Sequence, residues 1–530
     1  MLKQKRRTSC RVERIFAAAA LACFAILMSD GSPAYGSLLS KSNDPPPPGS
    51  LQLPPAVAAT FCLSSFRTNT DSLNAGGSGP IVLSFQQQPF VEPFVWLRHD
   101  DPKYNEKSSL GSVALKVIAT NMIIWTVDRF GMNNSWSHIG PASWKHNLKT
   151  GWEWDTDRLG MNFFHHPLSG AAFFNSARAS GYSYFGSVPA AFFGSLMWEY
   201  FGETTRPAYN DLINTTASGA LFGEILYRIT SNILDDRTTG AERFFREFAS
   251  SILNPARAVS RLLQGKMTRV TPRDVYQKEP LNIALAAGGH WFNKGTKFGT
   301  GSASGILNVH LDYGDPFEIR ARKPFDFFKL RIDLSYGKNV GDRFLDNLVG
   351  YGLLFGKTVH SGKLEMLIGT FQHYNYWDSK IFEISTLGFG GGIIAKWQFS
   401  KNSNFQSAFH LDVVPLGASN SPLIDIVEAG VHLRDYDYSG GGEAKFEGTL
   451  NLAKMGQVTA IYYLYRLHTY IGPAGYKIIE IFKPRIAIRL MNNLSVGFEY
   501  LYYHKDSLYR DFPHVHQSNT EQKIYLMVYY

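Results

Sequence analysis

Residues 328–336 read FKLRIDLSY, and this stretch predicts the fold of the C-terminal half of the chain. An apolar residue stands at every second position from Phe328 to Tyr336, with polar or charged residues between them. Successive side chains of a β-strand point to opposite faces, so this stretch has one apolar and one polar face. Strict alternation over about ten residues is typical of an outer-membrane strand, with one face toward lipid and one toward a polar lumen.

The same alternation recurs through the C-terminal half. It is clearest at residues 307–313, 405–413, 446–452 and 494–502. Twelve such segments are predicted, and an even number is what bacterial single-chain barrels require. The sequence therefore predicts a twelve-stranded antiparallel transmembrane β-barrel over residues 280–530. The predicted strands begin near Leu281, Gly305, Phe327, Asn347, Lys363, Phe382, Asn404, Glu443, Gln457, Ile478, Asn493 and Glu521.

The predicted connections support an outer-membrane topology. Those after strands 4, 6, 8 and 10 are short, whereas residues 415–442 and 504–520 form long loops after strands 7 and 11. Short turns on one side and longer loops on the other are the outer-membrane pattern. The connection after strand 2, residues 314–326, is longer than this pattern predicts.

The chain ends on KIYLMVYY, residues 523–530, in which Ile524, Leu526, Val528 and Tyr530 alternate. This stretch resembles the C-terminal signal by which bacterial outer-membrane proteins are recognised for assembly. The resemblance implies two partners, outer-membrane lipid and the barrel-assembly machinery. Oligomeric state is not predicted.

The N-terminal part has three predicted regions. Residues 1–36 have a basic start, an apolar core and small residues at 34 and 36, as in a secretory signal peptide. A Pro-rich linker (37–60) and an irregular segment (61–108) follow. The formal charge of the chain is +9, of which residues 1–36 carry +4, so the basic balance does not favour nucleic-acid binding.

Residues 109–265 are predicted to form a helical domain of about six segments. Because strand 1 must leave from the periplasm, we expect these helices on the periplasmic side. The predicted fold class is thus multidomain α + β, a periplasmic helical bundle followed by the barrel. Within the bundle, Gly240 to Leu253 is interpreted as an amphipathic helix with a solvated charged face.

Three motifs in the helical domain, RASGYSYF (178–185), WEYFGE (198–203) and DDRTTG (235–240), resemble an uncharacterised bacterial family. Its members join such a helical block to an outer-membrane barrel, and the resemblance implies architecture without activity. The order Glu199, Arg206, Asp211 and then Gly219 to Gly223 also resembles, locally, the VanZ-like envelope proteins.

Three polar residues in apolar helices form the candidate catalytic cluster: His166, Glu199 and Asp211. A histidine with two carboxylates suits acid–base catalysis or a divalent metal. The structural alternative makes Glu199 a partner of backbone groups or Arg206, Asp211 a helix-start acid, and Glu224–Arg228 an ion pair. No familiar catalytic motif is present, so whether the chain is an enzyme stays open, and no cofactor or metal site is assigned.

The lumen is predicted to be lined by charged residues that alternate with the lipid-facing ones. Two interpretations stay open: a narrow anion-preferring pore, or a salt-bridge network that fills the interior. The favoured function is a channel, binding or scaffold role in which the helices plug or gate the barrel, and the alternative is an envelope lipid- or cell-wall-modifying enzyme. The predicted lumen-lining residues are Lys329, Arg331, Asp333, Lys483, Arg485 and Arg489.

Overall fold

The structure is a computed structural model that describes residues 99–294, 302–337, 344–423 and 434–530. The predicted signal peptide, the Pro-rich linker and residues 61–98 of the irregular segment lie outside the described residues. The described chain contains seven α-helices followed by twelve strands. The predicted fold class, a helical region followed by a twelve-stranded antiparallel barrel, is confirmed.

The barrel is closed by the pairing of its first and last strands. Each strand is antiparallel to its sequence neighbours, and β1 pairs with β12, with Ala284 opposite Tyr529. We call the end where β1 begins and β12 finishes the turn end, and the opposite end the loop end. The strands are β1 Leu281–Lys294, β2 Ser302–Tyr313, β3 Phe328–Tyr336, β4 Leu345–Ser361, β5 Leu364–Asp378, β6 Glu383–Ser400, β7 Ser403–Asn420, β8 Tyr436–Leu452, β9 Gly456–Ile471, β10 Gly475–Met491, β11 Leu494–Tyr509 and β12 Val515–Tyr529.

Several strands extend beyond the alternating segments that predicted them. β7 continues to Asn420 and β8 begins at Tyr436, so the predicted loop 415–442 is wrong at both ends. The predicted loop 504–520 is likewise mostly strand. The strands continue beyond the segments in which apolar and polar residues alternate, because backbone hydrogen bonds between strands do not require an apolar face.

The seven helices precede the barrel. The segment at 141–150 was missed because its ten residues carry only a weak apolar pattern. Residues 110–131, helix α1 and the π-helical turn after it, are apolar and long enough to cross a membrane, the one such helix among the described residues. The helices are α1 Leu110–Thr126, α2 Pro141–Thr150, α3 His166–Arg178, α4 Tyr184–Phe201, α5 Tyr209–Ile233, α6 Gly240–Leu253 and α7 Pro255–Leu263.

Contacts between strands that are not neighbours identify the inner face of the barrel. The Lys523 ammonium of β12 lies 2.9 Å from Asp333 of β3, and Lys445 of β8 lies 3.1 Å from a ring nitrogen of His373 on β5. Neither pair of strands is adjacent in the sheet. Such contacts form only across the lumen, so these four side chains point inward.

The helices pack on the opposite, outer face. On β5, Gln372 and Tyr374 flank the inward His373 and therefore point outward. The Gln372 amide donates to the Ala217 carbonyl of α5 at 2.8 Å, and the Tyr374 hydroxyl donates to the Phe163 carbonyl. The helical domain thus lies alongside the barrel wall. This departs from the expectation of a bundle beneath the barrel or a plug inside it, because the apolar helix faces meet the apolar outer face of the sheet.

Small residues let the helices approach closely. A Cβ on Gly219 of α5 would lie 2.5 Å from the Cα of Gly170 on α3. The buried Asn175 side chain of α3 donates to the Gly223 carbonyl at 3.0 Å. Close backbone approach at small residues with interhelical hydrogen bonds is typical of helix packing in membranes.

Candidate functional site

The structure brings His166 and Asp211 into contact. Both lie at helix starts, His166 on α3 and Asp211 on α5, and their helices pack side by side. The Nε2 atom of His166 is 3.5 Å from a carboxylate oxygen of Asp211, and its Nδ1 atom is 3.2 Å from the Thr215 hydroxyl. A histidine held between a carboxylate and a hydroxyl can transfer a proton.

Glu199 makes a different contact. Its side chain is fully buried near the end of α4, and one carboxylate oxygen accepts the backbone N–H of Ala208 at 2.8 Å. Its other oxygen has no hydrogen-bond partner in the described part of the chain. Arg206, considered as its partner, instead pairs with Glu153 at 2.9 Å. Glu199 therefore has the backbone contact of the structural alternative, together with one free oxygen.

Asp155 is the residue that sequence reasoning missed. Its Oδ1 atom accepts hydrogen bonds from Asn162 at 2.6 Å, from Tyr438 of β8 at 2.6 Å and from Asn210 at 3.1 Å. The Asn210 amide also donates to Asp211 at 2.8 Å, which links Asp155 to the predicted cluster. The alternation of Trp and acid in WEWD, residues 152–155, was the available signal.

The cluster is strongly acidic. Asp155, Glu199 and Glu203 all lie close enough to Asp211 to repel its negative charge. Four carboxylates and a histidine, of which Glu199 and Asp211 are buried and the others half-buried, can share a proton or attract a cation. We call Asp155, His166, Glu199, Glu203 and Asp211 the acidic cluster.

An ion-pair network lies toward the other end of the bundle. Glu224 of α5, fully buried, accepts Arg178 of α3 and Arg228 of its own helix, each at 2.7 Å. Arg228 continues to Asp326, 3.2 Å away in the connection between β2 and β3. The i,i+4 pair expected for Glu224 and Arg228 is present, and a second arginine and the barrel extend it.

Asp236 organises the segment between the bundle and the barrel. It follows α5, and its carboxylate lies 3.0 Å from Arg243 and 2.6 Å from Arg269. Burial would raise the pKa of Asp236, but Arg261, Arg269 and Arg243 hold it below its ordinary value. The DDRTTG motif that supported the family resemblance thus contains a buried anchor for α6 and α7.

The predicted lumen residues near mid-barrel have partners. Lys329 lies 3.4 Å from Glu447 of β8, and Arg331 lies 2.6 Å from Asp312 of β2. Asp333 accepts Lys523, as described above. These contacts cross the lumen or join neighbouring strands within it.

The remaining predicted lumen residues lie on β10. The Lys483 ammonium is 3.5 Å from Glu499, which stands opposite Arg485 in the β10–β11 register. Arg489 is exposed near the turn end. Charged residues of both signs therefore face the interior and pair there.

The connection between β2 and β3 occupies the turn end of the lumen. Phe317 packs in an apolar cluster with inward residues such as Tyr351 and Phe371, and its carbonyl lies 2.6 Å from a His360 ring nitrogen. The Lys396 ammonium lies 5.2 Å from the Phe317 ring centre. A cavity of about 360 Å³ remains beside this segment, lined by charged groups of the lumen.

Residues 151–256 match a family model described as "Domain of unknown function (DUF3943)". The resemblance to a family of unknown function is thereby confirmed over this stretch. The DUF3943 region contains α3 to α6 and the whole acidic cluster. None of the curated proteins matches the sequence.

The chain also resembles solved outer-membrane barrels. These include the outer membrane channel DcaP of Acinetobacter baumannii (6% identity, TM-score 0.22, 47% of this chain and 96% of that chain). They also include an anion-selective porin from Comamonas acidovorans (8%, 0.22, 47% and 99%) and the toluene transporter TodX of Pseudomonas putida (8%, 0.21, 47% and 88%). At these TM-scores the likeness has no weight for function. The closed, even-stranded barrel with an apolar outer wall supports an outer-membrane location and contact with membrane lipid.

Proposed function

We propose that the protein is an outer-membrane scaffold, in which a closed barrel holds helices α1, α3, α4 and α5 within the bilayer. The main support for this proposal is that the helices pack on the outer wall of the barrel, where Gln372 and Tyr374 donate hydrogen bonds to them. That wall is the face that a membrane barrel turns toward lipid. A bundle attached there is surrounded by the same lipid.

The outer surface of the bundle supports this placement. Leu115 and Ile123 on α1 and Phe193 on α4 are 67%, 57% and 61% exposed. The bundle also reaches both ends of the barrel. Near the loop end the Trp154 ring lies 4.9 Å from that of Tyr438, and at the turn end Arg228 contacts Asp326.

Helix α6 buries the face that was expected to be exposed, and exposes the opposite one. Its charged residues Arg243 and Glu247 are buried, whereas Phe244, Phe245 and Phe248 are exposed. The charged face that was expected to contact solvent is therefore buried. A short helix with an exposed aromatic face at the turn end is suited to the interface of the periplasmic leaflet. This interfacial position replaces the expectation of a water-surrounded periplasmic domain.

The filled interior favours a scaffold over a diffusion pore. Ion pairs such as Lys523–Asp333 cross the lumen, and the segment around Phe317 occupies its turn end. We expect the purified protein in planar bilayers to give no steady ion conductance above that of the bare membrane. Stable conductance steps would favour the pore instead.

The test of the placement is the environment of single nitroxide labels in proteoliposomes. With the native cysteines replaced by serine, labels at Leu115, Ile123 and Phe193 should collide more often with oxygen than with a water-soluble nickel complex. A label at Ile393 on the outer wall of β6 is the lipid control, and one at Lys454 in a turn is the aqueous control. Labels on α1 and α4 that behave like Lys454 would overturn the proposal.

A second candidate function is an enzyme that modifies envelope lipid or cell-wall material. It is favoured by the contact of His166 with Asp211 inside the acidic cluster. Its test is lipid and muropeptide profiling of a deletion strain complemented with Asp211→Asn or Glu199→Gln. Folded variants that fail to restore the profile support the enzyme, and full restoration by both removes it. Glu153→Gln is the matched control on the exposed ion pair.

The assembly machinery is proposed as a partner through the closing strand. Ile524 and Leu526 on the outer face of β12 are about half exposed, at 50% and 52%. Replacing Tyr530 by serine should slow insertion into the outer membrane, measured as the fraction that migrates as folded protein on an unheated gel.

A further inference from the structure

Two clusters inside the barrel have the spacing of metal ligands, among the residues that the structure describes. One is formed by His290, Asp346 and Glu521, and in each cluster the candidate ligand atoms lie within 4.8 Å of one another. In this first cluster the polar side chains form hydrogen bonds with one another and with Ser335. The two ring nitrogens of His290 lie 2.5 Å from Glu521 and 3.2 Å from the Ser335 hydroxyl, which in turn donates to Asp346.

In the second cluster, formed by His373, Asp412 and Glu443, several polar atoms form no hydrogen bond with the described residues. Among the residues that the structure describes, none donates to or accepts from either carboxylate oxygen of Asp412, Nε2 of His373 or either ring nitrogen of the neighbouring His410. These three side chains are 6%, 1% and 2% exposed. Buried polar groups in native proteins are nearly always bonded, so the cluster has room for a further partner.

The unpaired atoms face one another. The Nε2 atom of His373 lies 3.5 Å from Asp412, and the His373 and His410 rings are 4.6 Å apart between centres. Glu443 bonds the Thr386 hydroxyl through one oxygen at 2.8 Å. Its other oxygen lies 2.7 Å from the Lys445 ammonium.

Three glycines on β6 clear the space around these groups. Gly388, Gly390 and Gly392 pair with inward positions of β5 and so occupy three successive inward positions. A Cβ would lie 2.6 Å from Glu443 Oε1 at Gly388 and 2.5 Å from Asp412 Oδ1 at Gly390, and at Gly392 it would collide with the His410 ring. These glycines thus leave their side of the cluster free of side chains.

We propose that His373, Asp412 and Glu443 bind one divalent transition-metal cation inside the barrel. One imidazole and two carboxylates form a mixed nitrogen and oxygen donor set that suits zinc, iron or manganese. The cation would give the unpaired atoms a partner and would link β5, β7 and β8 across the lumen. This site goes beyond the scaffold proposal and is independent of where the helices lie.

Lys445 gives the site a distinctive property. Its ammonium lies 3.1 Å from Nδ1 of His373 as well as 2.7 Å from Glu443. Ligation through Nε2 requires a neutral ring with the proton on Nδ1, so Lys445 must then bond Glu443 alone. Lys445 therefore competes with the cation, and its removal should tighten metal binding.

The experiment uses the full chain, folded in detergent, stripped with a chelator and dialysed against Zn²⁺, Mn²⁺ or Fe²⁺. Bound metal per chain is measured by mass spectrometry, and folding is checked by migration on an unheated gel. We expect one ion per chain in the wild type. The double variant Asp412→Asn/His373→Gln should lose affinity by more than about 100-fold, while Glu521→Gln in the other cluster keeps it.

Lys445→Met supplies the second arm and should bind the same ion about tenfold more tightly. A purely structural lysine would not change affinity in that direction. Absence of stoichiometric metal in the folded wild type would overturn the proposal and assign the unpaired atoms to water. Equal binding by the wild type and the folded double variant would also overturn it.

Discussion

The side-chain amide of Gln372 donates to the main-chain carbonyl of Ala217 at 2.8 Å, and so joins the lipid side of a barrel strand to a helix. Its oxygen accepts the Tyr184 hydroxyl at 2.7 Å, so one side chain serves two helices. Gln372 is 1% exposed, although the outward position two residues earlier, Thr370, is exposed. The outer wall of β5 thus changes from a lipid face to a protein interface within two residues.

Replacing Gln372 by leucine should destabilise the attachment of the helices. The change leaves the Tyr184 hydroxyl without its partner in a buried interface, at about 1–3 kcal/mol for an unsatisfied group, and removes the second hydrogen bond to the Ala217 carbonyl. The measurement is the urea midpoint of helix unfolding in detergent. Thr370→Leu, on the same face of the same strand, is the control and should leave the midpoint unchanged. Equal midpoints for both variants would contradict the interface.

Replacing Glu224 by glutamine should destabilise the bundle more than any surface pair does. The change leaves Arg178 and Arg228 buried with one carboxylate fewer, and breaking such a pair costs about 3–5 kcal/mol. Glu153→Gln at the exposed pair with Arg206 should cost less than about 1 kcal/mol. Both losses of unfolding free energy are measured by denaturant unfolding of the detergent-solubilised protein. Similar losses for the two variants would contradict a special role of the buried Glu224 pairs.

The segment that holds α6 should loosen in acid. Because the pKa of folded Asp236 lies below its ordinary value, its stabilising contribution is fully present above the unfolded pKa of about 3.9. The contribution is lost as pH falls through the lower folded value. The measurement is protease cleavage around residues 235–240 between pH 5 and pH 2. Asp236→Asn should be cleaved readily at all these values, and an identical pH profile for both proteins would contradict the assignment.

Gly388→Ala should weaken metal binding without unfolding the barrel. Its Cβ would meet the Glu443 carboxylate at 2.6 Å, the movable end of a side chain, and push it away from the cation. We expect about a tenfold or greater loss of affinity, measured by competition with a chelating dye. Gly391→Ala is the control, because a Cβ at that outward position meets nothing within 4 Å. Equal affinities for the two folded variants would contradict the role of Gly388.

Local patterns accounted for much of the fold. The two-residue period of stretches such as 328–336 predicted the twelve strands, because pairing in a barrel repeats one local geometry along each strand. A helical region before the barrel was also predicted, since helix periodicity is a property of neighbouring residues. The loops at 415–442 and 504–520 were wrong, because strand pairing there depends on backbone partners that no alternation marks.

The site depended on contacts that are distant in sequence. His166 and Asp211 were predicted as partners from their polarity. Asp155 joins them through Asn210, and its carboxylate is bonded by Tyr438, a residue 283 positions away. The close approach of Gly390 to Asp412 and of Gly392 to His410 depends on the register of neighbouring strands, which no local pattern shows.

The amino-acid sequence by itself determined the order of helices and strands, the even strand count and the alternation of the barrel wall. These follow from the period of side chains along one segment. Only the tertiary structure decided that the helices lie on the outer wall, that α6 buries its charges, and that the lumen is crossed by ion pairs such as Lys523–Asp333. The physical reason is that a pattern shows which face of an element is apolar, whereas the partner for that face is set by how all the elements pack.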